Sequence, residues 1–408
     1  MTAAALPTGE PVASPSPATG SVSLPGLDDA LALARAWAGK GLETLLLSGS
    51  HAAGEGVWTV HEGRPLTLSD VDVYAVVRDA AAARAAEASR RAERGGLAAR
   101  LLAMGIAAPL DVAFLTRDGL SRLPARPGTI ELARRAHVIA GDPSALALVP
   151  RWRPADVSRE QTTLLLENRA FELLLWPPAG GPVLTRLQAR HARLKVATDL
   201  AAVLALDAGE LPEGTPARVA WARARASAAL AVALPAELAP AALDRLWSAA
   251  VEWRGGVVTA LEPGADEAEW RAAARAWSAV WWAHGEREAR GVREPWARAL
   301  RMAARASLHR RVRRALTFVS RTGEGPALGA HLRSLLAGTP QHRVHGSAAV
   351  LLLAAATSAT RPALSTGALR ALRRLGVTPA SDWEGARRDV VRAWDRWLLD
   401  GQRTAAVA

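Results

Sequence analysis

The pattern of apolar and polar positions differs between residues 1–150 and the rest of the chain. In the first 150 residues, apolar residues recur at helical spacing over Leu27–Ala38, and short apolar runs predict buried strands. The predicted elements are a helix over Leu27–Ala38, strands over Glu43–Leu47, Ser69–Val77 and Leu110–Leu115, and a helix over Ala80–Met104 interrupted near Gly95-Gly96. A loop or hairpin is expected between the first two strands. This order predicts one small α/β domain that ends near Pro150.

Past Arg151 the pattern becomes helical throughout, with Pro or Gly between the segments and little β-branched alternation. The predicted helices are Ser158–Trp176, Pro182–Leu206, Pro216–Ala233, Pro240–Trp253, Asp266–His284, Glu294–Val319 and Asp382–Leu399. We expect a disordered tail over 1–25, an α/β domain over 26–150, a helical domain over 151–290 and a further helical region over 291–408.

Composition excludes several classes of protein. The 408 residues are 50% apolar and 22% charged, which is typical of a globular chain. There is no cysteine, so disulfide scaffolds, thiolate metal sites and cysteine nucleophiles are excluded. The N-terminal residues show no secretory pattern, and no apolar run approaches the roughly 20 residues that span a bilayer. A cytoplasmic protein without membrane contact is expected.

Basic charge is concentrated in the helical part. The chain has a net charge of +12, and 49 of its 51 basic residues are arginine. Residues 1–150 hold 14 basic and 15 acidic residues, against 37 and 24 in the remainder. The two parts are therefore expected to meet around an anion or to hold a cation between them. Solvated, arginine-rich helix faces are the alternative.

Thirteen of the 15 tryptophans also lie past residue 151, at irregular spacing. Such residues could stack nucleic-acid bases, but bulky filling of an alanine-rich core is the favoured interpretation.

Three aspartates carry the candidate chemistry. Asp70 and Asp72 stand in SDVDVYAVV and Asp111 in LDVAFL, each at the start of a predicted strand. Residues i and i+2 of a strand project from the same face, so Asp70 and Asp72 are expected to point together, and adjacent strands would bring Asp111 to them. Carboxylates this close are tolerated only with raised pKa values or with bound cations. Oxygen ligands without His or Cys favour Mg²⁺ or Mn²⁺.

A glycine turn lies upstream of the carboxylates. Gly49-Ser50 follows the first predicted strand, where glycine permits close approach of a phosphate and Ser50 adds a hydroxyl and an N–H. Either motif alone is weak. The order strand, Gly-Ser turn, paired-Asp strand, helix and Asp strand is far more specific.

Three segments carry a family resemblance: LLLSGSHAAGEG, SDVDVYAVV and LDVAFLT. Together they resemble the nucleotidyltransferase fold of the DNA polymerase β superfamily, in its aminoglycoside-adenylyltransferase-like bacterial branch. The resemblance covers about residues 27–145. It implies an α+β domain with a small mixed sheet flanked by helices, followed by an all-α region. It also implies that Gly49 and Ser50 hold a triphosphate and that Asp70 and Asp72 bind metal. Asp111 would complete the metal site or act as general base.

The sequence departs from that family in two places. The stretch from Ser50 to Asp70 is long, which predicts an inserted hairpin, and Ala53 stands where many relatives have an arginine.

Other motifs are weaker. Arg190–Leu206 resembles a helix of such adenylyltransferases in which a lysine reaches the phosphates, which makes Lys195 a nucleotide-binding candidate, with a chance surface lysine as the alternative. Glu167-Asn168-Arg169 is interpreted as an exposed stripe rather than as cleft lining. Ile139–Pro143 is predicted to be a turn. His51, His284 and His345 look isolated.

Arg186 and His191 match the R-x4-H pattern of helical HEPN-type ribonucleases. Chance alone supplies such matches in a chain with this many arginines.

These observations predict an enzyme that uses Mg²⁺, as two ions, and an NTP, with ATP favoured, to transfer a nucleoside monophosphate to a hydroxyl. The acceptor is not identified by the sequence. One alternative is an idle nucleotidyltransferase-like module for binding or regulation. The other is an RNA-directed protein that uses the basic helices.

Overall fold

The computed structural model describes residues 24–178, 181–230, 241–254, 256–287, 289–303, 312, 340–357, 364–374, 377, 380 and 382–398. The predicted tail over 1–25 lies almost entirely outside these residues, as do the predicted helix ends at 231–233 and 313–319. The described chain has an N-terminal part with a small mixed sheet and flanking helices, followed by a helical part.

The N-terminal part follows the predicted order with added elements. Its helices are α1 (Leu27–Ala38), α2 (Gly49–Ala52), α3 (Ala80–Ala92), α4 (Leu97–Ala103), α5 (Arg117–Ser121) and α6 (Pro127–Arg135). Its strands are β1 (Leu42–Ser48), β2 (Trp58–His61), β3 (Arg64–Thr67), β4 (Val71–Val77), β5 (Leu110–Leu115) and β6 (His137–Gly141). The break in the second long helix and the hairpin between the first two predicted strands are confirmed.

Four strands form one sheet in the order β5-β4-β1-β6. Strand β4 is antiparallel to β1 and parallel to β5, so the end of β1 meets the starts of β4 and β5 at one sheet end. Alternate residues of β4 face opposite sides: Val71 and Val73 pack in the cluster with α1, whereas Val76 packs in the cluster with α5 and α6. Asp72 shares the second face by this alternation.

The turn predicted over Ile139–Pro143 is wrong, because most of this segment belongs to β6, which pairs with the buried β1. Gly141 ends the strand with φ 87°, and a Cβ there would overlap the Glu43 carbonyl oxygen. Only glycine fits that close approach. The long-range pairing with β1 produces a strand that the local turn residues do not indicate.

The helical part is built around α8. Its helices are α7 (Arg159–Leu175), α8 (Val183–Asp207), α9 (Thr215–Ala229), α10 (Ala241–Trp253), α11 (Pro263–His284), α12 (Pro295–Ala303), α13 (Pro340–Ala356), α14 (Thr366–Arg374) and α15 (Trp383–Leu398). Helix α8 packs against α7, α9, α10 and α11. One apolar core includes residues from Leu166 to Trp394, together with Val57 and Leu68 of the N-terminal part. Helices α13 and α14 were not predicted: α13 continues into an uninterrupted apolar run over 348–356 without an amphipathic period, and α14 is only nine residues long.

Tryptophans fill this core. Trp247, Trp270, Trp277, Trp281 and Trp383 are fully buried, so the core interpretation is confirmed for them. Several indole N–H groups donate to main-chain carbonyls of other helices, as Trp277 does to Leu166 O at 2.7 Å. None of the described helices combines the length and apolarity needed to cross a bilayer.

Candidate functional site

A pocket lies between the sheet end that carries the glycine turn and the helical part. It is lined by residues of both parts: Gly49, Ser50, Ala53, Glu55, Ser69, Asp70, Asp72, Glu131, Arg135, His191, Lys195, Asp199, Thr215, Arg218 and Arg254. The sequence-predicted residues Gly49, Ser50, Asp70, Asp72 and Lys195 are therefore brought together.

The floor of the pocket is the turn after β1. Gly49 has φ 69°, a conformation that side-chain-bearing residues rarely adopt, and it begins the single-turn helix α2. A Cβ on Gly49 would overlap Asp72 Oδ2. The backbone thus lies directly against the carboxylate, because Ser48 is paired with Asp72 across the sheet.

Asp72 carries an unfavourable charge. Burial first, and then the charge of Asp70, raise the pKa of Asp72 to about 7 against the opposing charge of Lys195. Asp70 stands one residue before β4, which begins at Val71 rather than at the predicted Ser69.

Asp111 is Asp72's partner in register on the parallel strand β5, and its charge also raises the pKa of Asp72. It is nevertheless exposed on an edge strand and does not line the pocket. Within the part of the chain that the structure describes, no three or more His, Asp or Glu side chains are grouped so as to hold a metal ion. Asp111 therefore lies beside Asp72 in the sheet but outside the residues that line the pocket, and a metal site shared by all three carboxylates stays a prediction.

Lys195 reaches the carboxylates from α8. Its ammonium forms an ion pair with Asp70 Oδ2 and lies 3.5 Å from Glu172 Oε1. Burial alone would lower the pKa of Lys195, but the charges of Asp70 and Glu172 outweigh it and the pKa is raised. Lys195 is therefore a fixed cation at the carboxylates and not a chance surface lysine.

A buried ionic network holds this lysine in place. Arg169 of α7 forms an ion pair with Glu172, and its Nε lies 2.8 Å from Asp199 Oδ2 on α8. Arg169 and Lys195 lower the pKa of Glu172 although burial would raise it. Since each charge has an opposite neighbour, the network can remain ionised away from solvent.

A second group of pocket residues consists of arginines and glutamates. Arg135 on α6 donates to Ala53 O at 2.8 Å and lies 3.2 Å from Glu55 Oε1. It therefore brings a guanidinium beside Ala53, the position at which the resemblance alone predicts an arginine. Glu55 also accepts from Thr215 N and Oγ1, at 3.0 and 2.8 Å, which ties the glycine turn to the start of α9.

His191 lines the pocket one helical turn before Lys195. Burial first, and then the charge of Lys195, lower the pKa of His191 to about 3. The imidazole is therefore neutral at pH 7. The R-x4-H pairing is not formed by Arg186, whose guanidinium donates instead to Leu261 O.

Several pocket residues were not predicted. His191 and Asp199 lie four residues before and four residues after the predicted Lys195 on α8, and this periodicity could have grouped them with it. Arg135, Arg218 and Arg254 had no such signal among 49 arginines.

Two predictions about isolated polar residues are wrong. Glu167 is buried against His345, whose Nδ1 lies 3.2 Å from Glu167 Oε2, and Arg169 belongs to the network behind the pocket, so only Asn168 fits the exposed stripe. His284 is not isolated either: its two nitrogens lie 2.7 Å from Thr163 Oγ1 and from Asp207 Oδ2. Thr163 on α7 and His284 on α11 are buried, Asp207 at the end of α8 is exposed, and none of the three lines the pocket.

Comparison with protein-family models, curated proteins and solved structures yields no match. The function is therefore argued from the pocket itself.

Proposed function

We propose that the chain is a metal-dependent nucleotidyltransferase with the polymerase β-type fold. It would move a nucleoside monophosphate from an NTP, with ATP as the expected donor, to a hydroxyl acceptor. One observation carries the proposal: the Gly49 turn lies against Asp72 beside Asp70, and Lys195 from the helical part meets the same carboxylates. Phosphoryl transfer needs a turn that lets phosphate approach the backbone closely, paired carboxylates and a fixed cation, and this pocket combines all three.

Asp70 and Asp72 fit a Mg²⁺ site. The donors are oxygens only, and the burial of Asp72 beside the charge of Asp70, which raises its pKa, supports a bound cation at this position. Mg²⁺ is commonly held by one or two carboxylates with substrate phosphates and water, so a third protein carboxylate is not required. When bound, the metal would activate the acceptor hydroxyl and stabilise charge on the phosphates.

The chain's own residues would supply the remainder of the mechanism. The N–H groups of the Gly49-Ser50 turn bind phosphate oxygens, and Lys195 exchanges part of its contact with Asp70 for one with phosphate. The acceptor oxygen attacks the α-phosphorus, the bond to the β-phosphate bridging oxygen breaks, and pyrophosphate leaves. Asp111 stays the predicted acceptor of the hydroxyl proton, a role that its exposure on β5 permits.

Transfer of label from NTPs to a cell extract tests the proposal. The wild-type chain with Mg²⁺ and each NTP labelled on the α-phosphate should label one size class of acceptor and release pyrophosphate. Asp72→Asn should abolish labelling, whereas Asp29→Asn, an exposed residue in the first turn of α1, should retain it. No labelling by the wild type with any NTP would reject the proposal.

An idle binding module is the second candidate, favoured by the Lys195–Asp70 ion pair, which already neutralises one carboxylate. That candidate predicts nucleotide binding without labelling. The RNA-directed alternative stays a prediction, to which Arg193, Arg298 and Arg387 cannot contribute because they are buried inside the helical part.

A further inference from the structure

Arg254 is an arginine of the pocket without a carboxylate partner. It follows α10, and its Nη2 donates to Thr198 Oγ1 at 3.0 Å. Among the described residues, no carboxylate oxygen lies within 4.0 Å of its guanidinium, whereas Arg135 is paired with Glu55 and Arg218 with Glu131. A guanidinium has five donors, so most of those of Arg254 are available to a ligand.

The surroundings of Arg254 favour an anion. Burial lowers the pKa of Arg254, and the charges of Arg218 and Arg135 lower it further against those of Glu55 and Asp199. All three guanidinium groups therefore line the same pocket as Asp70 and Lys195, and the charges of Arg218 and Arg135 act on Arg254. A ligand with several negative charges would relieve the repulsion among the arginines.

The hairpin of β2 and β3 holds the chain that follows Arg254. Trp58 N donates to Gly256 O at 3.3 Å, and Val258 N donates to Trp58 O at 2.8 Å. The buried hydroxyl of Thr59 donates to Val258 O at 2.8 Å. The predicted insertion between Ser50 and Asp70 therefore connects the N-terminal part to the segment beside Arg254.

We propose that Arg254 binds the pyrophosphate group of the donor nucleotide, before transfer as its outer phosphates and afterwards as the leaving group. The β2-β3 hairpin is the positioning element of this anion site. The part of this proposal that takes the pyrophosphate group from a donor nucleotide rests on the proposed function. The forked donors of a guanidinium match adjacent phosphate oxygens, and the neighbouring arginines supply the additional positive charge that a pyrophosphate requires.

Direct binding of inorganic pyrophosphate tests the site without metal, nucleotide or acceptor. Titration calorimetry on the full chain should show binding by the wild type and at least tenfold weaker binding by Arg254→Ala. Arg245→Ala, at an exposed arginine of α10, the helix that directly precedes Arg254, is the matched control and should bind as the wild type does. Equal affinity of Arg254→Ala and wild type, or no binding by the wild type, would overturn the assignment.

The positioning role is tested with the hydroxyl of Thr59. Thr59→Val should weaken pyrophosphate binding several-fold, Thr59→Ser should restore it, and the exposed Val60→Thr should have no effect. Thermal melts of each variant separate this loss from unfolding. A folded Thr59→Val variant that binds pyrophosphate with wild-type affinity would reject the positioning role. The role would also be rejected if a folded Thr59→Ser variant bound pyrophosphate as weakly as the folded Thr59→Val variant does.

Competition identifies the source of the anion. ATP should displace pyrophosphate, and AMP should do so far more weakly. If pyrophosphate still binds at saturating ATP, the anion belongs to another ligand and the nucleotide assignment is overturned. Absent labelling in the transfer assay, with Arg254-dependent pyrophosphate binding intact, would reject the proposed catalysis but retain the anion site.

Discussion

At the scale of single residues, the charges of Asp70 and Asp111 both raise the pKa of Asp72, and relief of this like-charge repulsion should be measurable. Asp72→Asn removes one negative charge beside Asp70 and Asp111, so the melting temperature of the chain without ligand should stay constant or rise. Mg²⁺·ATP should stabilise the wild type by mass action and the variant much less. Thermal melts with and without ligand measure both effects. A lower melting temperature and an unchanged ligand response would identify Asp72 as a structural residue.

The pH dependence of stability gives a second measure of the same group. The pKa of Asp72 is about 7 in the folded chain and about 3.9 when unfolded, so the folded state binds the proton more tightly. The stabilisation of the folded chain by this bound proton is complete below about pH 4 and is lost as the pH rises through 7. From pH 5.5 to 7.5 the wild type should therefore lose more stability than Asp72→Asn, as followed by denaturant melts. Parallel losses in both proteins would contradict the shift.

At the scale of elements, the turn from β1 into α2 depends on a glycine for two separable reasons. Gly49 and Gly54 have φ angles of 69° and 68°, but only a Cβ at Gly49 would meet a neighbour, the Asp72 carboxylate. Gly54→Ala should cost about 1 kcal/mol from backbone strain alone and should retain activity. Gly49→Ala should cost more and abolish nucleotidyl transfer, since it displaces Asp72.

Chemical denaturation and the transfer assay measure the two parts of this prediction. Similar losses of stability and of activity in both alanine variants would show that the close approach of Gly49 to Asp72 has no role.

At the scale of the whole molecule, the helical part is stabilised by buried tryptophans. Trp277 is fully buried and its N–H donates to Leu166 O, whereas Trp152 is 39% exposed and donates to Leu123 O at 2.9 Å. Trp277→Ala should lower the free energy of unfolding by about 3–5 kcal/mol. Trp152→Ala should lower it by about 1 kcal/mol, mainly through its hydrogen bond. Equal losses, measured by denaturant melts, would contradict the core role of Trp277.

The sequence by itself determined the elements whose residues repeat with a clear period. Helix α1 has the predicted bounds Leu27–Ala38, and strand β5 has the predicted bounds Leu110–Leu115. The Gly49-Ser50 turn and the Asp70–Asp72 pair were also recognisable, because glycine and paired carboxylates have few other reasons to occur together. Local periodicity and residue chemistry suffice for such features.

Only the tertiary structure decided which distant residues share the pocket. Strand β6 exists because β1 offers it a pairing edge, and Asp111 lies outside the pocket because β5 is an edge strand. Arg135, Arg218 and Arg254 converge from α6, α9 and the end of α10, although nothing in their local sequence distinguishes them from other arginines. Spacing along the chain encodes faces of single elements, whereas the pocket depends on how separate elements pack.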